Sequence, residues 1–230
     1  MKRLGLIGGV SPESTALYVR LLNEGVRARL GGEHSAEFAL WHLDYGVMIG
    51  HYRAARWPAF TAEVVRAGQA LVNAGADALM ITSNTTHVAA DALAEATGAR
   101  VIHLMDPLAD AMHRARVRRP LLLGTPPVMS GAFYRAALAQ RFDGETLIPS
   151  LSDHGEIERI ILDELCVGVV TEASRRRLKE IIAKTPEADG VILGCTELPL
   201  ILSQDDISLP VFDTTALHAS AGVAFALSGN

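Results

Sequence analysis

The chain has 230 residues, 49% of them hydrophobic, and a formal net charge of −5. That is enough for one large domain or two small ones and too apolar for a disordered chain. The acidic balance gives no support to binding of nucleic acid or of an anionic membrane. No apolar stretch reaches the length of a membrane span, and the N-terminal run is broken too early, at Gly5 and Gly8, for a signal peptide. The two cysteines, Cys166 and Cys195, are no disulfide framework. A cytoplasmic protein with reduced thiols is expected.

In chain order, short apolar runs at 4–7, 38–43, 78–81, 101–104, 121–123 and 191–193 read as buried strands. Between them, 14–28, 57–73, 88–96, 131–140, 156–167 and 172–184 carry a helical period. This alternation predicts an α/β protein with parallel sheets. The chain also repeats itself: Arg3-Leu4-Gly5-Leu6-Ile7-Gly8 resembles Arg119-Pro120-Leu121-Leu122-Leu123-Gly124. At the same offset Ser14 matches Ser130, Ala16 Ala132, Tyr18 Tyr134 and Leu22 Leu138. Later, the run from Ala76 to Thr82 resembles the run from Ala188 to Gly194, and a one-residue slip makes Thr82 and Cys195 end equivalent strands. Two pseudo-symmetric α/β lobes follow, with 1–105 plus 210–230 in the first and 106–209 in the second. The site is expected in the cleft between them, because ligands of open α/β sheets bind beyond the carboxyl ends of strands.

Cys195 follows the apolar run Val191-Ile192-Leu193 and a glycine, where a nearby helix start would favour thiolate. A buried structural cysteine is the alternative. Cys166 lies inside an amphipathic run and reads as core. Thr82-Ser83-Asn84-Thr85-Thr86-His87 places more hydroxyl and amide donors after a strand than a simple N-cap needs, which suits a carboxylate. His87 reads as a donor at a helix start. The glycine turn before Ser11, and Gly124-Thr125 in the second half, could approach a small anion through the backbone; neither is a dinucleotide fingerprint. Metal-ligand spacings are lacking. The lysines, Lys2, Lys179 and Lys184, lie at the terminus and along a charged helix, a poor setting for a pyridoxal Schiff base. No cofactor and no metal are expected.

At these residues the chain resembles the aspartate/glutamate racemase family, a two-lobed, cofactor-independent group. The shared blocks are Gly5-Leu6-Ile7-Gly8-Gly9 with Ser11 and Glu13-Ser14-Thr15; Asn23-Glu24-Gly25; Leu30-Gly31-Gly32 with His34; Asn84-Thr85 with His87; Glu164-Leu165-Cys166 with Thr171; Gly194-Cys195-Thr196-Glu197; and Leu209-Pro210-Val211-Phe212-Asp213-Thr214. The resemblance implies a small acidic amino acid as substrate and a homodimer. It also implies two thiols on opposite faces of the α-carbon, one removing the proton and the other returning one. By resemblance Cys195 is the second of these thiols, facing the proton of the L-enantiomer. The first is altered: where the family has Cys-Thr-Asn-Thr, this chain has Thr82-Ser83-Asn84-Thr85, so Thr82 takes the thiol's place and a lopsided enzyme favouring L to D follows. Ser11, Asn84, Thr85, Thr86, Thr125, Thr196 and Glu197 are the substrate-binding candidates. Arg53 and Arg56, in an expected cleft loop, are candidates for a side-chain carboxylate. Two other readings stand beside this one: a single-cysteine decarboxylase of malonate-type acids, and a catalytically degenerate amino-acid-binding protein.

Overall fold

Successive side chains of a strand point to opposite faces of its sheet, and a parallel sheet covered on both faces needs apolar residues on both. The first strands meet that need. In the computed structural model, which describes residues 1–229, β1 (Leu4–Gly8) lies between β2 (Phe38–His42) and β3 (Ala78–Ile81), parallel to both. Leu4, Leu6, Ala78 and Met80 pack on one face with Tyr18, Leu22 and Val26 of α1 (Pro12–Leu30), and with Ala219, Val223 and Ala226 of the last helix, α10 (Thr214–Leu227). Ile7, Leu79 and Ile81 pack on the other face with α3 (Trp57–Asn73), through Phe60, Val64, Ala67 and Leu71, and with Leu93 of α4 (Ala90–Thr97).

The second sheet is built likewise from β4 (Pro120–Leu123), β5 (Gly190–Leu193) and β6 (Val211–Asp213), all parallel, with β5 in the middle. Leu121, Leu123, Val191 and Leu193 face α8 (Leu151–Arg159) and α9 (Glu172–Ala183). Leu122, Ile192 and Phe212 face α5 (Met105–Arg114) and α7 (Ala132–Ala139). The described chain divides into two compact units, 1–103 with 218–229, and 104–217. No helix among the described residues is long and apolar enough to cross a membrane.

The repeat in the sequence is a repeat of structure. Each sheet gains a fourth position through an isolated parallel bridge, Leu79 to Val101 in the first and Leu121 to Leu147 in the second. Leu147 then stands beside β4 as β2 stands beside β1, and Val101 beside β3 as β6 stands beside β5. At the amino end of the first sheet, the Arg3 amide donates to Asp77 (2.6 Å), the Asp77 amide donates back to the Arg3 carbonyl (2.8 Å), and the Arg3 guanidinium donates to Glu37 (3.0 Å). In the second sheet Arg119, Asp189 and Glu145 make the same three bonds at 2.7, 3.1 and 3.1 Å.

Four expectations are corrected. Residues 101–104 give only the Val101 bridge: Leu104 already caps α5, whose Met105, Leu108, Ala109 and Met112 form a buried stripe, with Pro107 in its first turn. The return to the first unit comes at His218 rather than 210, because Val211–Asp213 pairs with β5. The stretch after Asp44 is a helix, α2 (Tyr45–Arg53), capped by the Asp44 carboxylate on the Gly46 amide (2.8 Å). The run 156–167 is the end of α8 followed by a π turn (Ile160–Glu164) and a 3₁₀ turn (Leu165–Val167), stopped by Gly168 at φ 77°.

Candidate active site

A parallel sheet puts the carboxyl ends of all its strands on one edge, and the candidate residues cluster at those edges. In the second unit, Thr125 follows β4, Cys195-Thr196-Glu197 follows β5, and Asp213 ends β6. Gly194 makes this close approach possible: a Cβ there would stand 2.8 Å from the Leu123 carbonyl oxygen. Gly124 plays the same part from β4, where a Cβ would come 3.0 Å from the Gly194 carbonyl oxygen. Thr125 is buried, and its carbonyl receives the first amides of the short helix α6 (Pro126–Ser130).

Cys195, Thr196 and Glu197 are all buried. The Cys195 thiol donates to the Glu197 carboxylate at 3.0 Å, and the Thr196 hydroxyl donates to the same oxygen at 2.7 Å. Burial, the Glu197 charge and the nearby Cys166 push the Cys195 thiol well above the ordinary cysteine range. The fully buried Tyr134 is raised in turn, by burial first and by the Cys195 charge second. Cys166 packs in the hydrophobic core that also takes in Cys195. The carboxylate of Glu197, a substrate-binding candidate from the sequence, accepts both the thiol and the Thr196 hydroxyl. Sequence reasoning missed Asp213, whose carboxyl is raised by burial and accepts the Thr215 and Ala216 amides at 2.8 and 3.1 Å. That signal was available as an Asp before Thr-Thr and a helix. The Thr215 hydroxyl beside it is buried with no hydrogen-bond partner among the described residues.

In the first unit, Ser11 caps α1 by accepting the Ser14 amide (3.3 Å) and is buried. Gly9 before it, at φ 93°, lies so close to Leu43 that a Cβ would stand 2.1 Å from that residue's carbonyl oxygen. Thr82, Ser83, Asn84, Thr86 and His87 are buried and Thr85 is half-buried. Asn84 precedes a 3₁₀ turn (Thr85–Ala89), and His87 folds back so that its Nδ1 lies 2.7 Å from the Ser83 carbonyl oxygen. The ring of His87 meets those of His103 and His218, a grouping the sequence gave no reason to expect. The Thr86 hydroxyl is buried with no hydrogen-bond partner among the described residues. A buried donor of that kind is uncommon in a folded protein and suits a bound carboxylate.

The Thr82 side chain is turned into its own sheet. It is fully buried, and its hydroxyl donates to the Ile7 carbonyl at 3.1 Å. Its amide donates to the same carbonyl at 3.0 Å, as the Gly194 amide donates to Leu123 at 2.7 Å. Thr82 is therefore the counterpart of Gly194, and the one-residue slip read from the sequence is corrected. Arg53 closes the last turn of α2, and Arg56 precedes α3 with its guanidinium 3.5 Å from the Gly50 carbonyl; both are exposed. Among the described residues, no three His, Cys, Asp or Glu side chains group so as to hold a metal ion.

Comparison with known proteins agrees with the fold and the motifs. A protein of Yersinia pestis proposed to be an Asp/Glu racemase has a solved structure that superposes with a TM-score of 0.91 at 38% identity, covering 99% of this chain and 100% of that one. An aspartate racemase homologue from Pyrococcus horikoshii superposes with a TM-score of 0.84 at 30% identity, covering 98% and 99%. The broad specificity amino-acid racemase RacX of Bacillus subtilis is 21% identical over 231 residues, 96% of each chain. Residues 7–222 match the Asp/Glu/hydantoin racemase family, and with the parallel sheets and the motifs at their carboxyl edges the chain is a member of that family, an enzyme of the racemase class.

Proposed function

We propose that this enzyme racemises a small acidic amino acid, aspartate or glutamate, without a cofactor, and that Cys195 is the group that moves the α-proton of the L-enantiomer. The observation that carries this reading is the buried Cys195 thiol donating to the Glu197 carboxylate at 3.0 Å. At rest the thiol is protonated, since burial and the Glu197 charge both oppose thiolate. Transfer of its proton to Glu197 gives a thiolate without adding net charge to the site. An arriving α-ammonium group offsets the charge that remains. The thiolate then takes the α-proton and leaves a carbanion. In reverse, the same thiol returns the proton. Glu197 acts as proton acceptor for the thiol, and Thr196 holds its carboxylate in place (2.7 Å). The unpartnered Thr86 hydroxyl, with the Asn84 and Thr85 turn and Ser11, supplies donors for a carboxylate. Thr82 anchors the end of β3 through its bond to Ile7.

The test is incubation with L-aspartate and L-glutamate in deuterium oxide, following the α-proton by NMR and the enantiomers by chiral chromatography. Exchange should occur with at least one of the two and fall by about 100-fold or more in Cys195→Ser, the scale of a lost acid–base group. Exchange that survives in Cys195→Ser would refute the assignment. A second reading draws on the same protonated thiol: protonation of the carbanion left when a malonate-type acid loses carbon dioxide. Carbon dioxide release from such an acid, with no exchange of either amino acid, would favour it.

A further inference from the structure

We propose that the second unit carries a binding site for a small apolar α-amino acid, of the size of leucine, in a cavity at the amino edge of its sheet and apart from Cys195.

Parallel strands carry their amino ends on one edge of the sheet and their carboxyl ends on the other. Cys195, Thr196 and Asp213 stand at the carboxyl edge. At the amino edge the chain enters β5 through Thr185, Pro186 and Ala188, and enters β6 through Ile207, Ser208 and Leu209. With the last turns of α9, these two entries line a cavity of about 290 Å³. Ala188 and Cys195 lie at opposite ends of β5, roughly 20 Å apart at about 3.3 Å per residue. A molecule held in this cavity does not reach the thiol.

The floor of the cavity is apolar. Ile182, Ala188 and Ile207 are buried and belong, with the half-buried Leu209, to the core packed on this face of the sheet. A short branched side chain taken out of water against these residues stabilises binding through its apolar area. The volume is at the small end of ligand cavities, which suits a molecule the size of leucine rather than a nucleotide.

Two opposite charges line the same cavity, Lys179 and Asp206. Lys179 of α9 is exposed, and its ammonium makes no hydrogen bond or ion pair among the described residues. Thr185 and Ser208 add two hydroxyls that likewise have no partner among the described residues. An ammonium with two hydroxyl donors is a set for a carboxylate. Asp206 offers the complement. Its Oδ2 accepts the Ser203 hydroxyl at 2.9 Å, the Ser203 amide at 3.0 Å and Arg175 at 3.1 Å. Its Oδ1 accepts nothing among the described residues and is left for a donor of the ligand. Ala183, which also lines the cavity, ends α9, and the carbonyl end of a helix favours a positive charge. A carboxylate for Lys179, an ammonium for Asp206 and an apolar side chain for the floor together describe an apolar α-amino acid. Aspartate does not fit, because its second carboxylate would lie against the apolar floor.

The experiment titrates the full chain with L-leucine, L-aspartate, 4-methylpentanoate and 3-methylbutylamine, read by NMR on the methyl groups of Ile182, Ile207 and Leu209. It is repeated in Lys179→Glu, with circular dichroism as the check on folding. L-leucine should shift these methyl signals saturably, and L-aspartate should not. Lys179→Glu should weaken leucine binding by about tenfold or more, the scale of a lost charge-assisted hydrogen bond. The pentanoate lacks the ammonium and the butylamine lacks the carboxylate, so each should bind about tenfold or more weakly than leucine. Absence of saturable shifts with millimolar leucine overturns the proposal, and so does leucine binding that a folded Lys179→Glu protein keeps in full. Binding of either analogue as tight as that of leucine overturns the amino-acid assignment, a comparison that needs only the wild type. The readout is binding rather than turnover, so its failure leaves the racemase reading standing.

Discussion

Cys195 shows how one carboxylate changes what a thiol can do. Its neighbour Glu197 is buried and accepts the thiol proton's hydrogen bond, so the charge that would repel thiolate is also the base that can receive the proton. Replacing Glu197 with Gln removes the charge and the base together. The thiol of Glu197→Gln should then ionise at lower pH, because the like charge that opposes thiolate is gone. Following alkylation of the Cys195 peptide by mass spectrometry across pH 6–10 would show the profile moved toward acid, while α-proton exchange falls. A profile moved toward alkali would mean that Glu197 does not oppose the thiolate. The raised thiol also ties stability to pH. The folded state keeps a proton that the unfolded chain releases near pH 8.5, so this contribution is whole below that pH and fades as pH rises toward the folded value.

At the scale of elements, α8 and α9 are joined by charge as well as by Ile157, Leu178 and Ile181. Asp153 of α8 is buried and takes Arg177 at 2.9 Å and Lys184 at 2.8 Å. The hydrogen bond from Lys184, with the charges of Lys184 and Arg177, holds its carboxyl below the usual carboxylate range. Because both cations are partly exposed, Asp153→Asn should cost about 2 kcal/mol in urea unfolding at pH 7, less than a fully buried pair would lose. The stability from a depressed carboxyl is present above about pH 4 and lost as pH falls through the folded value, so the difference between wild type and variant should close at low pH. A difference that persisted at pH 2.5 would point to packing instead. The same scale explains which elements could be read in advance. The strands β1, β3, β4 and β5 and the helices α1, α3, α7 and α9 were legible because each carries a buried run or stripe; β2 was read as a buried strand, yet its residues are half-buried to exposed, and the three-residue β6 was not read as a strand. The helix α2 buries only Met48 along its length, so no periodicity marks it. The helix α10 is largely apolar, and its polar residues Thr214, Thr215, His218 and Ser220 do not form one separate face, so its pattern could not declare a helix. The helix α5 does have a stripe, but the apolar run leading into it read as a strand.

For the chain as a whole, the internal repeat was visible in residues such as Tyr18 and Tyr134, both fully buried, yet the matching of strand ends was not. The stretch from β1 to β3 is longer than that from β4 to β5, so one sequence offset cannot hold along both halves. Hydrogen-bond register sets Thr82 level with Gly194, and Ser83 level with Cys195, in the repeat. The repeated clamp at the amino ends offers a test of whether the two halves are also alike in energy. Asp77 accepts the Arg3 amide, whereas Asp189 accepts both the Arg118 amide (2.7 Å) and the Arg119 amide (2.7 Å). A carboxylate acceptor contributes more than a neutral one, and these sites are partly open to solvent. Asp77→Ala should therefore cost about 1 kcal/mol and Asp189→Ala about 2 kcal/mol in urea unfolding. The two clamps share no partner, so the double variant should lose the sum to within about 0.5 kcal/mol. A larger cost for Asp77→Ala than for Asp189→Ala would break the link between the number of amides held and the stability gained. A double variant far from the sum would show that the repeated units feel one another's strand ends when they unfold.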